Sequence, residues 1–540
     1  MIMEKLCALC VIVLLASVAR AADSYDVVVY GGTSAGVVAA AQAGRMGKRV
    51  VLIEPGRHLG GMTSGGLGAT DTGNLAAIGG MAREFYSRIR DYYQAPSVWK
   101  QETAAQYAKR ERYVYADAMF GFEPHVAEKV FDEMAAAAKV TVVYGQRLDR
   151  KHGVKKQGSR IISIRMESGR VFAGREFIDA GYEGDLLARA GVSYIVGREG
   201  NAQYGETLDG IQVGQSKSHQ FTLPVDPFIK PGDASSGLVA NIHAGPAGQD
   251  GQGDRRVQAL NYRLCLTDVP ANRLAFEKPA GYDARQYELL LHYYDAGFTG
   301  TPWSPRGMPN RKTDINNNGA FSTDYIGMAD AYPDADYATR DKIIADHVLY
   351  TKGLFWALAN EPRVPAKVRQ AVSKWGWARD EFTDNGNFPY QLYVRESRRM
   401  IGEYVMIQQD ITGQRKAADS IGLGSYGMDS HNCQRYVDAA GHARNEGDVQ
   451  VHGHPPYGIS YRALIPKPAQ CTNLLVPVCM SATHIAYGSI RMEPVYMILG
   501  QACGAAAARA IDEKVDVQNV NYPKLRERLL ADKQRVEWRE

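Results

Sequence analysis

Residues 25–54 constrain the fold of this chain more than any other stretch. YDVVVY (Tyr25–Tyr30) is a β-branched apolar run that stops at glycine, which predicts a strand buried on both faces. Ser34–Gly47 is alanine-rich, with polar Gln42 and Arg45, and predicts a helix. RVVLIE (Arg49–Glu54) predicts a second buried strand. The three together form a β-α-β unit in about 30 residues, the core of a parallel sheet.

The turn inside that unit carries a chemical signal. GGTSAG contributes Gly31, Gly32, Thr33, Ser34, Ala35 and Gly36 between the first strand and the helix. Glycine at 31 permits the tight turn, and glycine at 36 lets the helix close on the strand. The helix N-terminus then offers free N–H groups and a positive dipole end to a pyrophosphate. Glu54 ends the second strand, where a carboxylate accepts ribose hydroxyls. These residues predict dinucleotide binding. Thr33 departs from the pattern, because a middle glycine leaves the backbone more open to phosphate. GLGSYG (Gly422–Gly427) matches the same spacing, but a polar stretch precedes it and MDSHNCQR follows. With neither strand nor amphipathic helix expected there, it is read as a decoy.

Two further segments bear on which dinucleotide. GGMTSGG contributes Gly60, Gly61, Met62, Thr63, Ser64, Gly65 and Gly66, whose small residues let backbone run beside a ligand. SIRMEPVYMILGQACG (Ser489–Gly504) predicts a buried helix, with Pro494 at a first helical position. The first segment resembles the glycine segment of the glutathione-reductase-like flavoproteins, especially their succinate dehydrogenase and fumarate reductase branch. There it lies along the flavin, and a late helix points at the flavin C2 carbonyl and N1. IDAGYEGDLLARAGV (178–192), TDINNNGAFSTDY (313–325), FTDNGNFPYQLYVRESRRM (382–400), DSIGLGSYGMDSHNCQR (419–435) and SATHIAYGSIRMEP (481–494) resemble a bacterial family of FAD-dependent oxidoreductases, some labelled xanthan-lyase-like. That resemblance implies FAD as cofactor and oxidoreductase chemistry over nearly the whole chain. Val142, Asp179, Gly500 and Gln501 join the expected cofactor-binding residues.

The expected architecture is α/β: a discontinuous Rossmann-type FAD-binding domain (24–200 and 472–515) with an inserted α+β substrate domain (201–471) and a C-terminal tail (516–540). Residues 1–22 read as a signal peptide. Lys5 precedes the apolar run Leu6–Val18, followed by Ala19, Ala21 and Ala22. A periplasmic or secreted protein is therefore expected, with no stable membrane span. A net charge of +4 without a long basic run excludes nucleic acid as an expected partner. Cys265, Cys433, Cys471, Cys479 and Cys503 are too few and too odd in number for a disulfide framework, so buried thiols are expected.

A flavin oxidoreductase needs a group that takes or gives a proton. His484, on the approach to the late helix, is the leading acid/base candidate. Arg491 is placed to hold a carboxylate, an oxyanion or the flavin, or else to pair with Glu493. The middle region offers Arg395, Arg398, Asp429 and His431, of which His431 and Arg395 lie in family-like motifs. His452 and His454 lack a third ligand, and DINNNG (Asp314–Gly319) has Tyr325 in place of the acidic twelfth residue of a calcium loop and reads as a loop cap or turn, so no metal is expected. His58 falls one residue from the position that carries a covalent flavin in the resembling branch, and non-covalent FAD is expected. The expected reaction is dehydrogenation of a hydroxyl or saturated carbon, hydride passing to flavin N5. The alternatives are a flavin monooxygenase with an external reductant and a non-catalytic FAD-containing binding protein. The partners are a small-molecule substrate and an electron acceptor, neither identified. Trp303, Trp375, Trp377, Asn385 and Asn387 would suit a carbohydrate.

Overall fold

The structure, a computed structural model, describes residues 23–539; the expected signal segment lies outside them. Strand β1 (Asp23–Tyr30), helix α1 (Ser34–Arg45) and strand β2 (Val50–Ile53) form the first unit. Helix α2 (Pro124–Ala137) leads into β3 (Thr141–Val143), and β4 (Val154–Gln157), β5 (Arg160–Arg165) and β6 (Val171–Asp179) follow. The sheet order is β3-β2-β1-β6-β5-β4. β3, β2, β1 and β6 run parallel; β5 pairs antiparallel with β6, and β4 pairs antiparallel with β5. Leu474–Leu475 returns from far down the chain to pair in parallel with Phe177 and Ile178 of β6. Val27, Val28, Val29, Val51, Leu52 and Ile53 are fully buried, as strands covered on both faces must be.

The late helix, Glu493–Glu513, lies against α1. A side chain at Gly500 would stand 2.3 Å from the Ala35 carbonyl oxygen, and one at Gly504 would stand 2.3 Å from that of Ala39. Two glycines one helical turn apart thus let the backbones meet. Gln501 turns the other way, and its Oε1 accepts from the Met81 N–H at 2.8 Å. Gly500 and Gln501 therefore hold the helix in place and do not border the cavity described below.

The middle of the chain builds a five-stranded antiparallel sheet in the order Arg273–Leu274, Gly376–Ala378, Leu264–Thr267, Lys312–Asn317, Trp303–Met308. DINNNG begins inside one of its strands instead of forming a turn. Asp314 is buried there, pairs with Arg263 at 2.6 Å, and accepts the N–H groups of Gly68 and Ala69 at 3.1 and 3.0 Å. That carboxylate binds the end of the glycine segment to the middle sheet. Trp303 and Trp377 pack into an aromatic core with Phe276, Phe355 and Phe388, which removes them from any carbohydrate surface. GLGSYG does contain a strand, Ser420–Gly424, but that strand pairs antiparallel with Tyr457–Ser460 and no helix follows it. The five cysteines among the described residues are free and buried. The expected tail is a packed element, helix Tyr522–Ala531, with Leu525 and Leu529 in the core. No helix among the described residues is long and apolar enough to cross a membrane.

Candidate active site

The turn after β1 is shaped by contacts no side chain could survive. Gly31 has φ +101°, and a Cβ at Gly36 would fall 1.9 Å from the Gly31 carbonyl oxygen. Thr33, the departure from the glycine pattern, has its own task. It is the N-cap of α1: its hydroxyl accepts from the Gly36 N–H at 3.2 Å and donates to the Ala180 carbonyl at 2.8 Å. The Gly60 N–H donates to the Gly32 carbonyl at 2.7 Å, so the second glycine segment lies beside the first.

A cavity of about 340 Å³ opens on this turn. Gly31, Thr33, Glu54 and Gly61 border it, together with Arg57, His58, Gly181, Tyr182, Arg147, Tyr337 and Arg340. Glu54 accepts from the N–H groups of Gly32 (2.7 Å) and Gly56 (2.5 Å), one per oxygen. Each oxygen keeps a lone pair for a hydroxyl donor. Burial pushes this carboxyl up to about 7, against the two N–H donors that favour its charged form. Asp179 is also pushed up to about 7 by burial; it accepts from Gly181 and Leu187 N–H groups and shapes the turn after β6. Val142 sits in β3, paired with Leu52. Neither Asp179 nor Val142 borders the cavity.

Glu493 ties the parts together. One carboxylate oxygen accepts from Ser34 (2.5 Å) and Thr63 (2.6 Å), the other from Tyr182 (2.8 Å). Tyr182 in turn accepts the Met62 N–H at 2.8 Å. The helix carrying Glu493 is thereby locked to the fingerprint, to the glycine segment and to the segment after β6. The Arg491–Glu493 ion pair, one of the two alternatives for Arg491, does not form; Arg491 turns to the middle region. Gly31–Gly36, Glu54 and Gly60–Gly66 lie together around the start of the late helix, a fit for a flavin dinucleotide.

A family model described as FAD dependent oxidoreductase matches residues 26–529. The chain belongs to that family. It is an FAD-dependent oxidoreductase, with FAD as its cofactor. No curated protein matches it. Among solved structures, 3-ketosteroid-Δ4-(5α)-dehydrogenase from Rhodococcus jostii RHA1 shares 17% identity over 31% of this chain and 48% of its own, with a TM-score of 0.19. L-proline dehydrogenase from P. horikoshii shares 15% over 33% and 59%, with a TM-score of 0.24. L-amino acid deaminase from Proteus vulgaris shares 15% over 33% and 53%, with a TM-score of 0.22. The chain spans about half the length of these structures.

In this FAD-dependent oxidoreductase, residues 390–395 carry the site from the glycine segment into the middle region. The Tyr390 hydroxyl donates to the Ser64 carbonyl at 3.3 Å, and three residues on Tyr393 enters a buried polar cluster. Arg395 and Arg491 both lie over the Tyr393 ring, at 4.7 and 5.9 Å. Arg491 donates to the Tyr393 hydroxyl and to the Asp429 carbonyl, each at 3.0 Å. Arg395 pairs with Asp324 at 3.0 Å, and His431 Nδ1 meets the same Asp324 at 2.8 Å. Burial opposes ionisation of Asp324, but Arg395 and His431 outweigh it and hold its carboxyl at about 2. Burial, then the Arg395 charge, holds the His431 imidazole below its ordinary value. Four residues named from sequence, Arg395, Asp429, His431 and Arg491, thus converge; Asp324 and Tyr393 were not singled out from sequence.

His484 is one hydrogen-bond relay away. Its Nδ1 meets Glu396 at 2.7 Å; Gln258 donates to Glu396 at 3.0 Å and accepts the His431 N–H at 3.1 Å. Glu396 also receives Arg399 at 2.9 Å. His58 has both ring nitrogens engaged, by Glu128 at 2.9 Å and Asp384 at 3.1 Å, and stacks on Tyr390 at 3.7 Å. Glu123, His125 and Glu381 converge as metal ligands would, but the Lys312 ammonium sits 2.7 Å from both glutamates and supplies the positive charge.

The Glu54 environment has a measurable signature. A carboxyl raised from 4.5 to about 7 by folding binds more protons folded than unfolded between those values. Its contribution is therefore fully present below the unfolded value and is lost as pH rises toward 7. Thermal unfolding of apoprotein from pH 4.5 to 7.5 should show wild type losing stability relative to Glu54→Gln. With the carboxyl open to the cavity, the expected loss is discounted to about 1–2 kcal/mol. A pH-independent difference would remove this account of Glu54.

Proposed function

We propose that this protein is an exported dehydrogenase that oxidises an organic substrate, with His431 as proton acceptor. The observation that carries the reading is the convergence of Tyr393, Arg395, His431 and Arg491 beside the glycine segment. FAD, when bound, supplies the two-electron acceptor. Gly31–Gly36 and the α1 N-terminus would hold the pyrophosphate, Glu54 the ribose, and Gly60–Gly66 with the late helix the flavin end. His58, with both nitrogens engaged, supports non-covalent FAD.

The chain's own residues then handle the proton. Asp324 binds Nδ1 of His431, which leaves Nε2 as the acceptor of the neutral ring. A substrate C–OH losing its hydroxyl proton to Nε2 becomes a carbonyl as the hydride departs. Arg395 keeps Asp324 ionised, so the imidazolium that forms is met by a fixed negative charge. We assign this step to His431 rather than His484, because His431 shares the cluster with both arginines. His484, held by Glu396, stands behind it and positions it through Gln258.

Anaerobic stopped-flow mixing with sugars, polyols and hydroxy acids tests the reaction. A substrate that bleaches the flavin of the wild type should bleach His431→Gln about 10²–10⁴-fold more slowly, with FAD content unchanged. Equal rates would return the role to His484. Export has its own check. Protein from the native host should begin near Ala22 or Asp23 on N-terminal sequencing, and a sequence beginning at Met1 would overturn it.

A further inference from the structure

We propose that the Arg395 guanidinium, supported by Arg491, is the anchor for a carboxylate carried by the substrate. The inference rests on the dehydrogenase reading and names the substrate class for the same site. It comes from comparing the fully buried arginines with one another. Arg198 lays its Nε and Nη2 on the two oxygens of Asp254, at 2.9 and 2.7 Å. Arg263 does the same with Asp314, at 2.8 and 2.6 Å. Arg399 gives Nε to Glu396 and both terminal nitrogens to Glu199. Arg398 and Arg435 each place Nε on an acceptor, Asp334 and Asn445, and each leaves one terminal nitrogen, Nη2 and Nη1, without one.

Arg395 is the exception. Its Nη1 is spent on the Ala259 carbonyl and on Asp324. Its Nε and Nη2 are buried and have no acceptor among the described residues. Those two nitrogens form the side-on fork that grips both oxygens of a carboxylate through parallel N–H···O bonds, as Arg198 and Arg263 demonstrate here. Arg491, across the same tyrosine ring, has Nε in the same condition. Leaving donors of a charged group unmet in the interior is costly, so the acceptor comes from outside the chain.

Charge balance favours an anion over water. The two arginines face Asp324 and Asp429, at 3.0 and 3.6 Å, so the cluster is neutral while His431 is neutral. When His431 takes the substrate proton, the cluster gains one positive charge. A substrate carboxylate on Arg395 supplies the compensating negative charge next to it.

The test uses the FAD-loaded protein and the flavin absorption band. Acetate and benzoate are titrated against their uncharged isosteres, acetamide and benzamide. The expected result is a saturable perturbation by the acids, with the amides at least about tenfold weaker. Arg395→Lys keeps the charge but removes the fork. It should raise the Kd for benzoate about 10–100-fold at unchanged FAD content. Acids and amides acting alike on wild type, or neither acting, overturns the anchor, as does full benzoate affinity in Arg395→Lys. Loss of FAD from Arg395→Lys would also overturn it, by giving the fork to the cofactor. Should that variant not fold, the acid–amide comparison on wild type decides alone. A neutral polyol that bleaches the flavin while acids bind no better than amides sinks the carboxylate and leaves the dehydrogenase standing.

Discussion

The carboxylate of Glu493 is the contact on which this structure depends. It stands at the first turn of the late helix and receives hydroxyls from Ser34, Thr63 and Tyr182. Those residues lie in three segments separated by up to 459 positions along the chain from Glu493. A buried carboxylate must be met by donors or it is expelled. Once these hydroxyls are committed, the fingerprint turn, the glycine segment and the segment after β6 have one relative arrangement. Gly500 and Gly504 reinforce it by letting the same helix seat on α1 without intervening side chains.

The middle region meets that frame through charge. Asp314 holds the end of the glycine segment, and Arg263 holds Asp314. Further along, Asp324 serves Arg395 and His431 together. A buried ion pair adds little net stability over an apolar pair of the same volume, but removing one partner costs about 3–5 kcal/mol. A chain that keeps so many buried pairs near one ring of Tyr393 has arranged fixed dipoles and charges where water is excluded. Such an arrangement costs no reorganisation when charge moves during reaction.

The parallel-sheet part of the fold was legible from local pattern, because a β-α-β turn encodes its geometry in consecutive residues. Apolar runs marked β1 and β2, Gly31 and Gly36 marked the turn, and alanine-rich stretches marked α1 and the late helix. The middle region was less legible, because its elements answer to distant partners. Asp314 reads as a turn or calcium residue until Arg263 and the N–H groups of Gly68 and Ala69 surround it. Trp303 and Trp377 read as sugar platforms until three phenylalanines enclose them. Arg395, Asp429, His431 and Arg491 were visible as candidates, but Asp324 and Tyr393 take their meaning only from contact. Glu493 was in view as a partner for Arg491; spacing along the helix could not reveal that it faces Ser34 and Thr63.

The direct test of this account is the affinity of apoprotein for FAD, read by quenching of flavin fluorescence, in wild type and in Glu493→Ala. The account predicts one FAD per wild-type chain. It predicts a variant of unchanged circular dichroism that binds FAD about 10–100-fold more weakly, because three buried hydrogen bonds that align the cradle are gone. Wild-type apoprotein that fails to take up FAD, or a folded Glu493→Ala that binds it as tightly as wild type, would contradict it.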